Sequence, residues 1–158
     1  MLPRMPYGII SAVGDTAELS GRSGERARPL ILIVEDQSEL RALYAQHLTM
    51  SGFDVIETAN GAEAITFTTA QFPDVVLMDL SLPVVDGWEA TRRLKADSRT
   101  AHIPVVALTA HDGSGELERA TSAGCDWFVP KPCPPDSLIT EVRRVLATDR
   151  SELSTTGS

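Results

Sequence analysis

The stretch Asp74–Trp88, DVVLMDLSLPVVDGW, decides how the chain is read. Val75, Val76, Leu77 and Met78 form a continuous apolar run of strand length. An unbroken run of this kind fits a strand buried on both faces, as in a parallel sheet covered by helices. The run stops on a carboxylate, Asp79, and a loop with Pro83 and Gly87 follows at once. A strand that delivers an acid to its own carboxyl end is the feature to be explained.

Outward from this stretch the same alternation repeats. LILIV (30–34) is a second apolar run, and SELRALYAQHLTMSG (38–52) follows it with Leu40, Leu43, Tyr44 and Leu48 at helical spacing. FDVIET (53–58), IPVVALT (103–109) and CDWFVP (125–130) read as three more strands. NGAEAITFTTAQF (60–72), DGWEATRRLKAD (86–97), GSGELERATSAG (113–124) and PDSLITEVRRVLA (135–147) read as helices. Asn60 with Glu63, and Asp86 with Glu89, have the spacing of helix N-caps. Five strands alternating with five helices predict an α/β fold with a parallel sheet clothed on both faces.

In an open parallel sheet the strand carboxyl ends gather along one edge, where ligands bind. The strand-terminal residues are therefore Glu35 and Asp36 from the first strand, Asp79 from the third, Thr109 from the fourth and Lys131 from the fifth. Glu57 and Thr58 end the second strand and receive no role. Two carboxylates about 4 Å apart repel by roughly 4 kcal/mol at an effective dielectric near 20, so three together call for a cation. Oxygen ligands with room for water favour Mg²⁺ over zinc or copper. Carboxylates, Mg²⁺, a lysine and a threonine together suit a phosphoryl group. Asp79 is the central candidate nucleophile: ionised at neutral pH, it needs no general base to form an acyl phosphate.

The pieces LIVED, VVLMDLSLPVVDGW, VVALTA and DWFVPKP, in this order and spacing, resemble the receiver domain of two-component response regulators over about residues 29–147. The resemblance implies a flavodoxin-like sheet of order 2-1-3-4-5. It implies Asp79 as phosphoacceptor, with Mg²⁺ held by Asp36, Asp79 and the backbone carbonyl of Ser81, and by Glu35 through water. Lys131 would pair with the phosphoryl oxygens, and Thr109 would donate its hydroxyl beside the Ala110 amide. Phe128 would be the switch aromatic that turns inward with Thr109. Ser81 and His111 would flank the site.

The partners implied are a histidine kinase or histidine phosphotransfer protein, and a downstream protein bound through the face of the fourth helix, fifth strand and fifth helix. The chain would act as a single-domain regulator, monomeric or weakly dimeric, and not as a turnover enzyme. A haloacid-dehalogenase-type phosphatase would need a second Asp where Ser81 stands. Nucleotide or flavin binding would need a glycine-rich loop after the first strand. A phosphorylation-independent scaffold is opposed by the intact acidic set.

The 158 residues suit one domain, and 42% apolar content is ordinary for a globular protein. A net charge of −8 opposes a nucleic-acid coat. No secretory signal or membrane-length apolar run is visible, so a cytoplasmic protein with Cys125 and Cys133 as free thiols is expected. Residues 1–28, with Arg22, Arg26 and Arg28, read as a flexible leader or, alternatively, a docking arm. Residues 148–158 read as a flexible tail.

Overall fold

The computed structural model describes residues 26–80, 82, 85–110 and 115–156. Ser81, Pro83 and His111 lie outside them, as does most of the expected leader. The elements in order are β1 (Leu30–Val34), α1 (Ser38–Met50), β2 (Asp54–Thr58), α2 (Gly61–Gln71), β3 (Val75–Asp79), α3 (Gly87–Ala96), β4 (Val105–Ala110), α4 (Glu116–Ala123), β5 (Trp127–Lys131) and α5 (Pro135–Thr156). The sheet is parallel with order β2-β1-β3-β4-β5, as expected.

Alternation along the strands divides the core in two. Ile31, Ile33, Val75, Leu77, Val106, Leu108 and Val129 face α1 and α5, meeting Tyr44, Leu48, Leu138 and Val142. Leu32, Val34, Val76, Met78, Val105 and Ala107 face α2, α3 and α4, meeting Ala64, Ala90, Leu94 and Ala120. The central strands β1 and β3 are buried along their whole length, which is why they read as unbroken apolar runs. β2, at the edge, is half exposed and its sequence is mixed.

The caps follow the spacing seen in the sequence. Asn60 accepts from the Glu63 amide and Asp86 from the Glu89 amide, each at 2.8 Å. Neither glutamate completes a reciprocal box: Glu63 accepts from the Thr58 hydroxyl, and Glu89 pairs with Arg92 and Arg93. α5 continues past Ala147 to Thr156, because no glycine or proline interrupts it there. No helix among the described residues is long and apolar enough to cross a membrane.

Candidate phosphoryl-transfer site

Glu35, Asp79 and Lys131 fall on one face of the sheet because they continue the alternation of Ile33, Leu77 and Val129. The strands thus carry two acids and a base to the same corner. Lys131 Nζ lies 3.2 Å from Asp79 Oδ1 and 3.7 Å from Glu35 Oε1. Asp36, exposed just beyond β1, brings a carboxylate oxygen within 4.8 Å of those of Glu35 and Asp79. Thr109 takes the other parity. It sits on β4 one residue past Leu108, the register partner of Asp79, and is buried. Phe128 is half-buried on the face of α2, α3 and α4, opposite Ala107 in register.

Glu35 is wholly buried although it is an acid. Its backbone is held at both ends: the Glu35 amide donates to the Thr58 carbonyl at 3.0 Å, and Arg41 donates to the Glu35 carbonyl at 2.7 Å. Arg41 in turn pairs with Glu57 at 3.4 Å. Glu57 and Thr58, which received no role from the sequence, therefore brace Glu35. The signal that could have found them is the register of β1 on β2, which sets Val34 beside Thr58.

Burial, and then the neighbouring Asp79 carboxylate, push the Glu35 carboxyl up to about 7. One Glu35 oxygen accepts from the Gln37 amide, while the other, Oε1, is buried with no hydrogen-bond partner. Lys131 Nζ, at 3.7 Å, meets it as an ion pair without a hydrogen bond, so a closer cation would lower the cost of burying it.

The opposite edge of the sheet shows the contrast. There, too, acids stand at the strand starts: Asp54, Asp74 and Asp126. Each has its own cation, at 3.2 Å from Arg28, 3.4 Å from Arg26 and 2.6 Å from Lys95. At the carboxyl edge three carboxylates cluster, and Lys131 pairs with two of them, Glu35 and Asp79. The donor set there is all oxygen and in excess negative charge, which fits a hard divalent cation such as Mg²⁺.

The end of β3 and Leu80 lie close to the start of the helix that follows. The Gly87 amide faces the Leu80 carbonyl at 3.3 Å, and a Cβ on Gly87 would lie 2.7 Å from Leu80 Cα. Glycine is required there to let α3 begin so near Asp79. Asp86, just before Gly87, serves as the helix cap.

Comparison with known proteins gives the same answer as the geometry. The chain is 37% identical over 116 residues to the polar-differentiation response regulator DivK of Brucella anthropi, covering 73% of this chain and 94% of that protein. The receiver domain of the sensor histidine kinase PA1611 from Pseudomonas aeruginosa, solved with a magnesium ion in its active-site cleft, is 33% identical with a TM-score of 0.67, covering 76% of this chain and 95% of that one. The signal receiver domain of a signal transduction histidine kinase from Syntrophus aciditrophicus is 32% identical with a TM-score of 0.72, covering 76% and 91%. With residues 31–143 matching the response regulator receiver domain, the chain belongs to that family.

Proposed function

We propose that Asp79 is the residue that accepts the phosphoryl group, with Mg²⁺ held by Asp36, Asp79 and the Ser81 carbonyl, and with Glu35 acting through water. As a receiver, the protein is a phosphoacceptor in two-component signalling, supplied by a histidine kinase. The observation that carries the assignment is the buried Asp79 carboxylate, 3.2 Å from Lys131 Nζ and clustered with Glu35 and Asp36.

Asp79 attacks phosphorus as a carboxylate, the bond from phosphorus to the donor nitrogen breaks, and an acyl phosphate forms on the side chain. Bound Mg²⁺ supplies neutralisation of the charge on the phosphoryl oxygens. Lys131 keeps its ammonium on those oxygens once Asp79 has reacted. The Thr109 hydroxyl, one strand away, donates a hydrogen bond to the same group. Thr109 moves toward the phosphoryl group, and Phe128, on the same sheet face, turns inward with it and alters the surface formed by α4, β5 and α5, where a downstream partner binds. The receiver unit is taken as residues 29–147, and a histidine phosphotransfer protein is a second source of phosphate.

The test is intact-mass analysis after incubation with phosphoramidate and Mg²⁺. One phosphoryl group, dependent on Mg²⁺ and absent from Asp79→Asn, is the expected result. Folded wild-type protein that gains no phosphoryl group and binds no fluoroberyllate would overturn the assignment.

A further inference from the structure

The hydroxyl of Tyr44 is a polar atom inside an otherwise apolar cluster. Tyr44 is 2% exposed and packs among Ile31, Leu48, Leu77, Leu138 and Val142. A phenylalanine would meet the apolar packing equally well, so the hydroxyl needs a separate account. It donates to the backbone carbonyl of Cys133 at 2.8 Å, across 89 residues of sequence. Burial pushes the hydroxyl up to about 12, so it remains a donor throughout the physiological pH range.

Cys133 lies two residues beyond Lys131. β5 ends at Lys131, whose ladder partner is Ala110. The next fixed point in the chain is the Cys133 carbonyl under Tyr44. The chain leaving Lys131 is therefore held at both ends, by the sheet at Lys131 and by α1 at Cys133. The same helix holds the acidic side of the site, since Arg41, three residues before Tyr44, donates to the Glu35 carbonyl at 2.7 Å. Residues three apart share a helix face. One face of α1 thus grips the loop after Glu35 with Arg41 and the loop after Lys131 with Tyr44.

We propose that Tyr44 is a positioning residue for phosphoryl transfer: by holding the Cys133 carbonyl, its hydroxyl sets where Lys131 presents its ammonium group to Asp79. This rests on Asp79 being the phosphoacceptor. Lys131 carries a flexible four-carbon stem, and an ammonium placed loosely contributes less to a charged transition state than one held in register.

The experiment compares wild type with Tyr44→Phe, which keeps the ring and its packing and removes only the hydroxyl. Three quantities are measured well below the melting temperature: Mg²⁺ affinity, the phosphorylation rate with phosphoramidate at saturating Mg²⁺, and fluoroberyllate affinity. The expected result is a rate lowered roughly three- to tenfold, fluoroberyllate bound more weakly, and Mg²⁺ affinity unchanged or tighter. A lower melting temperature with an unchanged rate assigns Tyr44 to stability alone and overturns the proposal. Parallel weakening of Mg²⁺ binding and rate indicates general loosening and overturns it too. Wild-type protein that takes no phosphoryl group and binds no fluoroberyllate defeats the phosphoacceptor reading itself, so the two failures are told apart by the wild-type measurement.

Discussion

Lys131 Nζ sits 3.2 Å from Asp79 Oδ1, and the same ammonium reaches Glu35 Oε1 at 3.7 Å. A divalent cation held by this cluster would share the carboxylates that the lysine pairs with. The lysine therefore plays two opposed parts: it competes with Mg²⁺ for the carboxylates before reaction, and it supports the phosphoryl oxygens during it. Lys131→Met separates them. Mg²⁺ affinity should rise several-fold, about 1 kcal/mol, since the lysine is 27% exposed and its repulsion of the ion is screened. Phosphorylation should slow by roughly one to two orders of magnitude. Titration by tryptophan fluorescence and timed mass spectra measure the two. A variant that binds Mg²⁺ more weakly would show that the lysine organises the carboxylates and does not compete.

Glu35 gives the site a pH dependence. Its folded carboxyl is raised to about 7, above an ordinary value of 4.5, by burial and by Asp79. Between those values the folded protein holds a proton that the unfolded chain releases. Stability without metal must then fall as pH rises through this window, and the cost is fully present above about 7. Mg²⁺ removes the cost by neutralising the ionised form. Mg²⁺ uptake should release a proton below about pH 7, and its apparent affinity should tighten as pH rises and then level off. Calorimetry in two buffers of different ionisation enthalpy reads the proton directly. Zero proton release at pH 6 would show that Glu35 is already ionised without metal.

The sheet was legible because its central strands are buried on both faces and so lack polar interruption; Val75–Met78 is the plainest case. The site was legible because a parallel sheet brings Glu35, Asp79 and Lys131 to one edge, whatever their separation in sequence. The strand starts are less legible. Arg26 and Arg28 lie in a stretch whose sequence has no period, yet Arg26 donates to the Gln71 and Phe72 carbonyls and pairs with Asp74, while Arg28 pairs with Asp54. Asp54 and Asp74 stand just before the body of their strands, so the order β2-β1-β3 places them on either side of the start of β1. The Arg41–Glu57 brace was hidden for a different reason. It depends on register, which no local pattern in α1 or β2 states.

The two cysteines should be poor nucleophiles in the folded protein. Both are free and buried. Burial pushes the Cys125 thiol up to about 11, and burial likewise raises that of Cys133, so little thiolate forms near neutral pH. Reaction with a thiol-specific disulfide reagent at pH 7.5 should be slower in native protein than in denaturant by roughly two orders of magnitude or more. Fast labelling of one cysteine in the native state would mark it as a reactive thiol.

Two glycines separate stability from chemistry. Gly52 has φ of +104° with open space around it, so Gly52→Ala strains only the turn after α1. It should cost about 1–2 kcal/mol and lower the melting temperature by a few degrees, with Mg²⁺ binding and phosphorylation unchanged. At Gly87 the obstacle is the site itself, because an added Cβ would lie 2.7 Å from Leu80 Cα and press on the Asp79 carbonyl. Either α3 moves out or the end of β3 moves in. Gly87→Ala should cost about 1–3 kcal/mol as an overpacking change. It should also slow phosphorylation about tenfold or more, because Asp79 is displaced from Lys131 and the other carboxylates. Thermal melts, Mg²⁺ titration and timed mass spectra on both variants make the comparison. Equal phosphorylation rates in Gly87→Ala and Gly52→Ala would show that the start of α3 can shift without carrying Asp79 with it.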